Sequence, residues 1–442
     1  MDVEIQRFVL DFKVSRALAV VQHVSGLSHG VDHTRHGGVQ RPRESKSCPP
    51  EGLWGREVPE IEWEPDPVHA SCSLESVSAA LAVVRRAVEV SDRWPLELPN
   101  LPIGDEEWAL IRAYDTHCPA TDVHDALGEC QKTCKTLLER APLYLQLPLL
   151  RHNFWALKPS CGQFGRGIML LDRLPARPAQ LLDWAACVGR GGQKGGKDLT
   201  QGCVLQKLIE CPHLLDKAIL DSRATDNASQ LCMCMPADPA LKYNLRMIIV
   251  ATLRLPCRIW LYKHGFISVA LRAYTEQLNP LSHITNLRGQ GNESQRRWPL
   301  EDLDRHLQVE QQGPFDEVLR PQIKKIISSL FHALALAPCS LLPLEESQEA
   351  NGHRSAMGKK VRRFGFDFLV DESLSVWLLE VNFLKNGYAL GHAQSGPAGD
   401  AKRTFVDQFM ADEHLLRTAL ATRTCGSGDL PSTFEELLPQ PP

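Results

Sequence analysis

The stretch from Phe364 to Asn382 restricts the fold more than any other part of the chain. It reads Phe364-Gly-Phe-Asp367, an apolar run, the polar loop Glu372–Ser375, then Val376-Trp-Leu-Leu-Glu380-Val-Asn382. Two apolar runs around so short a loop predict an antiparallel hairpin. If Asp371 faces Val376, Asp367 lies directly opposite Glu380, with Cβ atoms about 5 Å apart. Asn382, two residues on, shares the face of Glu380 because side chains alternate along a strand. Two carboxylates that close repel each other, so the arrangement asks for a cation between them. Oxygen donors suit a hard divalent ion, Mg2+ above all. An edge hairpin with a wet polar face would carry the same residues, but Phe366, Phe368, Leu378, Leu379 and Val381 argue for burial on both faces.

Composition narrows the class without naming a function. At 442 residues with 43% hydrophobic content, the chain has room for two or three globular units or one multi-lobed domain. A net charge of −4 gives no global case for nucleic acid or an anionic membrane, so neither partner is expected. The apolar stretch from Ile326 to Leu344 is interrupted by His332 and Pro338 and has helical spacing, which predicts an amphipathic helix rather than a membrane span. The opening Met-Asp-Val-Glu lacks the basic start of a signal peptide. None of the 14 cysteines forms a Cys-x-x-Cys pair, so reduced thiols and a cytoplasmic location are expected.

Along the chain, residues 1–60 read as a helix near Val3–Val24 followed by a flexible linker poor in apolar residues. Residues 61–150 read as a helical region, with helices at Ser73–Val90, N-capped by Ser73, and Asp122–Leu138. The histidines at 23, 29, 33 and 36 read as part of a polar tail. The group His117, Cys118, His124, Cys130 and Cys134 matches no common zinc spacing and reads as buried helical thiols. From 151 to 425 the texture is β-rich with intervening helices, near Ala179–Val188 and Phe315–Ala337. Inserts are expected at about 216–238 and 345–359, and a disordered tail at 426–442. This alternation predicts an α/β class built as α+β lobes.

Two further motifs carry chemistry. In Trp155-Ala-Leu-Lys158-Pro-Ser-Cys-Gly162-Gln-Phe-Gly165-Arg-Gly167-Ile168, a strand ends at a lysine and a glycine loop follows. Glycines let backbone N–H groups approach phosphate closely and the lysine adds charge, although a plain Gly-rich hairpin would look alike. In the third motif, Val204-Leu-Gln206-Lys207-Leu208-Ile209-Glu210 precedes Lys242-Tyr-Asn244-Leu-Arg246. Gln206 and Lys207 could frame a purine edge. Lys242, Asn244 and Arg246 alternate, so they share one strand face and could present cations and an amide to phosphates; a solvated strand edge fits the pattern as well.

In content and order, the three motifs resemble the tubulin–tyrosine ligase-like family of ATP-grasp enzymes, over about Asn153 to Asn382. Arg258-Ile-Trp-Leu-Tyr-Lys-His-Gly-Phe266 and His283-Ile-Thr-Asn286 extend the likeness. The Gly-Arg-Gly-Ile and Asp172-Arg-Leu wording is nearest the glycine-adding branch. The resemblance implies an ATP-grasp ligase domain over 151–425, with ATP between two lobes. Lys158 and Lys207 would then serve phosphate and adenine, the Gly162, Gly165 and Gly167 loop would cover the phosphates, and Gln206, Leu208 and Ile209 would hold adenine. Asp367, Glu380 and Asn382 would carry Mg2+. Lys242 and Arg246 would steady the γ-phosphate and the reacting carboxylate as catalytic groups, beside Asn244. The implied reaction joins an amino acid (glycine, glutamate or tyrosine) to a protein carboxylate through an acyl phosphate. The implied partner is tubulin or another acidic tail, at the cytoskeleton, with cilium or flagellum as candidate sites.

Local charge agrees with an acidic partner: Lys242–Arg363 holds 18 Lys+Arg against 11 Asp+Glu, although a solvated basic face would count the same. Arg272, His283, Asn286 and Arg288 are the candidate substrate contacts, with Arg296 and Arg297 beside them. Three places depart from the family pattern, which usually has Asp at Asn244, Arg at Ser268 and small residues after Asn382, where Phe383-Leu-Lys-Asn386-Gly stands here. A degenerate member that binds nucleotide or microtubules without ligating is therefore the alternative reading.

Overall fold

The chain is described by a computed structural model, covering residues 3–25, 61–64, 73–89, 101–114, 127–140, 153–159, 165, 167–189, 203–216, 240–252, 258–275, 277–286, 297–336, 361–383, 397–421 and 431–437. The expected linker, both inserts, Gly162, Arg288 and the His117–His124 group fall wholly or almost wholly outside these residues. The chain divides into two compact units: Met1–Cys211 with Thr275–Pro280, and Pro212–Tyr274 with Leu281–Pro442.

In the first unit, helices α1 (Val3–Ser25), α2 (Leu74–Glu89), α3 (Asp105–Ala113) and α4 (Leu127–Arg140) accompany an antiparallel sheet. Its strands are β1 (Trp155–Pro159), β2 (Met169–Leu171) and β3 (Cys203–Lys207), in the order β2-β1-β3; α5 (Gln180–Gly189) follows β2. The Ser73 hydroxyl accepts the Ser76 N–H at 3.1 Å, capping α2 as expected. Val77, Leu81, Val84 and Ala87 are buried, as their spacing requires. The Cys130 thiol is buried too, and burial raises its pKa, which fits an inert structural thiol.

The unit boundary differs from the expected break at residue 150. Trp155 and Leu157 on β1 share one core with Phe8 and Phe12 of α1 and Trp108 of α3, so the small sheet belongs with the helices before it. The ring centroids of Phe8 and Trp155 lie 5.4 Å apart, edge to face.

The second unit is built on an antiparallel sheet of β4 (Leu214–Leu215), β5 (Leu241–Thr252), β6 (Ile259–Val269), β7 (Arg297–Pro299), β8 (Val361–Val370), β9 (Val376–Phe383) and β10 (Phe434–Leu437). The order is β10-β6-β5-β8-β9, with β4 on β5 and β7 on β6. Its helices are α6 (Pro280–His283), α7 (Leu300–Val309), α8 (Phe315–Val318), α9 (Arg320–Leu336) and α10 (Pro397–Ala421). The expected single helix Phe315–Ala337 is split at Leu319, consistent with Pro321, which lacks an N–H and suits only the first turn of a helix.

Alternation along β5 sorts its residues between two cores. Tyr243, Leu245 and Met247 pack with Leu303 and Leu307 of α7 and Ile323 and Ile327 of α9. Ile248 and Val250 point to the opposite face, where Phe409 and Leu416 of α10 cover them. Arg363 fixes that helix by donating to Glu413 at 2.6 Å, and the Tyr262 hydroxyl donates to Asp412 at 2.9 Å. Lys242, Asn244 and Arg246 share the α10 face. The mixed α+β architecture is the one expected.

The tail 426–442, expected to be disordered, contributes β10. Phe434 and Leu437 are buried in the two opposite cores, and Arg258 pairs with Glu436 at 2.6 Å, so the tail has both apolar and ionic anchors. Strand β6 runs unbroken from Ile259 to Val269 and absorbs extra residues at an irregularity opposite Met247–Ile249.

Candidate functional site

The hairpin β8–β9 brings Asp367 opposite Glu380, as the sequence suggests, but by a different route. At the tip Val370, not Asp371, faces Val376. Asp371 is drawn into the loop: its Oδ1 accepts the N–H groups of Ser373 and Ser375, each at 2.9 Å, and its Oδ2 accepts the Trp377 indole N–H at 2.8 Å. In the tip register Asp367 would face Leu379. A shift between Asp367 and Phe368 leaves Leu379 as the extra residue and restores the Asp367–Glu380 pair.

This bulge also decides which way Glu380 points. Leu378 pairs with Phe368 and Val376 with Val370, on the core side. Strict alternation would send Glu380 and Asn382 there as well; the extra residue turns them to the face of Asp367. The Asn382 amide then donates to Glu380 Oε1 at 2.9 Å and to Asp367 Oδ2 at 3.3 Å. The run Leu378-Leu379, which breaks the period of two, is the sequence signal that could have predicted the bulge.

Across the other edge of β8, Arg246 pairs with Asp367 in register, and its guanidinium donates to both carboxylate oxygens. Gly365 makes room for it: a Cβ there would lie 3.0 Å from Arg246 Nη1 and 3.2 Å from Cδ. Arg246 is therefore engaged with the expected metal ligand, a contact the sequence reading did not foresee. The Asp367 carboxyl is buried, and that burial pushes its pKa up to about 6, overcoming the pull of Arg246, with Glu380 adding to the rise. A divalent ion needs the ionised form. Were this group to hold Mg2+–nucleotide, its affinity would rise between about pH 5 and pH 7 and level off above, checked by titration across that window. In the ion-free protein the folded state holds a proton that the unfolded chain releases above its ordinary carboxylate pKa, so stability falls as pH rises toward 6.

Lys242 and Asn244 lie on the same strand face as Arg246, both buried. Asn244 Oδ1 accepts the Thr285 hydroxyl at 2.7 Å, which links β5 to the His283–Asn286 segment. Asn244 also stands directly opposite Ser268 on β6. Two of the three departures from the family pattern are thus one cross-strand pair, in which a neutral couple replaces an acid and a base. The buried His283 ring stacks at a tilt on Tyr274, with centroids 5.0 Å apart, while Arg272 and Asn286 are exposed.

In the first unit, Lys158 pairs with Val204 and Ala156 with Gln206, so Lys158 and Gln206 share one face of the small sheet. Lys207 lies on the other face. Its ammonium is buried, paired with Glu210, and donates to the Phe154 carbonyl at 3.0 Å. Burial lowers its pKa, against the pull of Glu210. Leu208 N–H donates to the same carbonyl at 2.9 Å, and Ile209 is buried. Gly165 and Gly167 adopt φ of +68° and +74°, a conformation open to glycine and strained for other residues.

An α+β architecture with an acid–acid–amide triad on one sheet face places the protein among ATP-grasp-type folds. The sequence model of the Tubulin-tyrosine ligase family matches residues 112–384, more than half of the chain. The chain belongs to that family. It is 24% identical over 250 residues to the probable tubulin polyglutamylase TTLL9 of Rattus norvegicus, covering 52% of this chain and 47% of the relative. It is 22% identical over 400 residues to the protein monoglycylase TTLL8 of Mus musculus, covering 86% and 41%. Over 238 residues it is 24% identical to tubulin glycylase 3E of Tetrahymena thermophila, covering 52% and 14%. The chain thus spans less than half the length of each of these relatives. Among the described residues, no helix is long and apolar enough to cross a membrane.

Proposed function

We propose that the chain is an ATP-dependent carboxylate–amine ligase that joins a free amino acid to an acidic protein tail, tubulin's foremost, at the cytoskeleton. The observation that supports this reading is the meeting of Asp367, Glu380 and Asn382 on one sheet face with Arg246 beside them. Their oxygen donors fit a hard divalent ion, and Mg2+ held there would offset charge on the β- and γ-phosphates of ATP. A carboxylate is a poor acyl donor, so the γ-phosphoryl group first passes to its oxygen. The amine then attacks the acyl phosphate, giving the amide, phosphate and ADP.

In this reading Lys158, Gln206 and the Leu208–Ile209 backbone serve the nucleotide, and Arg272 with the His283–Asn286 segment serves the acidic tail. Lys242 meets phosphate. Arg246 neutralises Asp367, and with a divalent ion held by Asp367, Glu380 and Asn382 its donors would be available to the transferring phosphoryl or the reacting carboxylate. The test is ATP-dependent incorporation of labelled glycine, glutamate and tyrosine into tubulin, with the amino acid used identified by which label enters.

The neutral Asn244–Ser268 pair favours a second reading, a nucleotide-binding protein that does not ligate. Measurable ATP binding with none of the three labels incorporated would select it. The pair itself can be reversed. Asn244→Asp alone should lower turnover, because it adds a buried negative charge with no cation opposite it on β6, only the Thr285 hydroxyl as donor. Adding Ser268→Arg should restore the charge couple and raise incorporation about 10-fold or more over the parent chain. Equal rates in the parent and the double variant would show that the pair limits nothing.

A further inference from the structure

Behind the β5 row, on the sheet face opposite Arg246, two histidines and a glutamate converge within the second unit. His213 precedes β4, while His306 and Glu310 lie four residues apart at the end of α7, one turn apart on the same side. Their ligand atoms all lie within 4.8 Å of one another. His213 Nε2 is 3.1 Å from Glu310 Oε2, and His306 Nε2 is 3.3 Å from Glu310 Oε1 and 3.2 Å from the Leu214 carbonyl oxygen. Donors around a tetrahedral zinc ion, with metal–ligand bonds of 2.0–2.2 Å, stand roughly 3.3 Å apart. The two histidine–Glu310 separations match.

We infer that His213, His306 and Glu310 form a structural site for a zinc-class divalent ion, with the Leu214 carbonyl or a water as fourth ligand. Four electron-pair donors crowd this point: two imidazole nitrogens, a carboxylate and a carbonyl. Neutral imidazoles with the proton on Nε2 would meet these oxygens by hydrogen bonds; with the proton on Nδ1, nitrogen and oxygen lone pairs face one another and call for a cation. One ion serves all four. The surroundings suit it. His213 Nδ1 is 3.1 Å from the buried Tyr243 hydroxyl, which orients the ring and can accept the Nδ1 proton, leaving Nε2 free to ligate. Both histidines are buried, while Glu310 is about one-third exposed and offers an entry path. Imidazole ligands separate this site chemically from the all-oxygen Asp367–Glu380–Asn382 group.

The consequence is mechanical. His213 N–H donates to Val370 O at 2.9 Å, Pro212 bridges Asp371, and Leu214 pairs with Lys242. An ion here would bind the end of α7 to the segment that joins the hairpin tip to β5, holding the Lys242–Asn244–Arg246 row from behind.

The test uses the purified full chain, stripped with chelator, dialysed and titrated with Zn2+ and, separately, Co2+. About one zinc per chain should be retained through dialysis, the Co2+ form should show the visible bands of a four-coordinate ion, and zinc should raise the melting temperature. Affinity should fall at least about 10-fold in Glu310→Gln and further in His306→Gln. Glu380→Gln should leave the Co2+ bands unchanged. Should His306→Gln fail to fold, Glu310→Gln decides, since that side chain is partly exposed. Sub-stoichiometric zinc, binding undisturbed in Glu310→Gln, or Co2+ bands lost in Glu380→Gln would each overturn the site, whatever the outcome of the ligase assay.

Discussion

Glu380→Gln is expected to reduce ATP-dependent incorporation of amino acid into tubulin by about 100- to 1,000-fold while leaving the fold intact. The substitution keeps the size of the side chain and an amide oxygen that accepts the Asn382 N–H, so the hairpin loses no volume. What goes is one of two negative charges aimed at a common point. Without it Asp367 keeps Arg246 as its partner, and the exchange of arginine for a metal becomes less favourable. The measurement is incorporation of label alongside a melting curve. A variant that melts normally and still ligates at the parent rate would remove the carboxylate pair from the mechanism. Asp367→Asn should also stop the reaction, but with a structural cost, because it leaves the Arg246 guanidinium without its bidentate partner.

Lys207→Met should destabilise the first unit strongly, costing about 3–5 kcal/mol in urea or thermal unfolding. Both side chains of the Lys207–Glu210 pair are only 1% exposed, so removing the ammonium leaves a charge stranded in the core. Glu210 also accepts the Phe154 N–H at 2.7 Å, which ties the strand entrance to the same carboxylate. Lys207→Met with Glu210→Leu should recover much of the loss, since two apolar groups fill the space without a buried charge. Recovery would not be complete, because the Phe154 N–H loses its acceptor. The same pair bears on nucleotide binding. If Lys207 acts on nucleotide only through the β3 backbone it anchors, the double variant should bind nucleotide better than the single one; an unchanged deficit would give the ammonium a direct role.

Much of this molecule was legible from residue order. The helix at the N-terminus, the Ser73 cap, the strands at β1, β3 and β9 and the antiparallel partnership of Asp367 with Glu380 follow from period, capping and loop length. These are local signals, and local physics suffices to read them. The tail strand β10 was missed because its stability comes from two distant cores and two ion pairs, with nothing in Phe-Glu-Glu-Leu to announce them. The boundary between units was missed for a similar reason. Trp155 joins the N-terminal helices only once their aromatic residues are folded around it.

Residue order alone therefore determined which chemical groups are present and which strand each rides on: two acids and an amide in a hairpin, a Lys-Asn-Arg row, a lysine before a glycine loop. Tertiary structure decided which groups meet. Asp371 turning into its loop, the extra residue at Leu379 and the gap at Gly365 put Arg246 and Glu380 on the two sides of Asp367. It also turned Lys207 into a core ion pair and set Asn244 against Ser268. The physical reason is that side-chain identity is carried by each position singly, whereas register and burial depend on partners dozens to more than a hundred residues away. One inserted residue is enough to reverse a strand's faces.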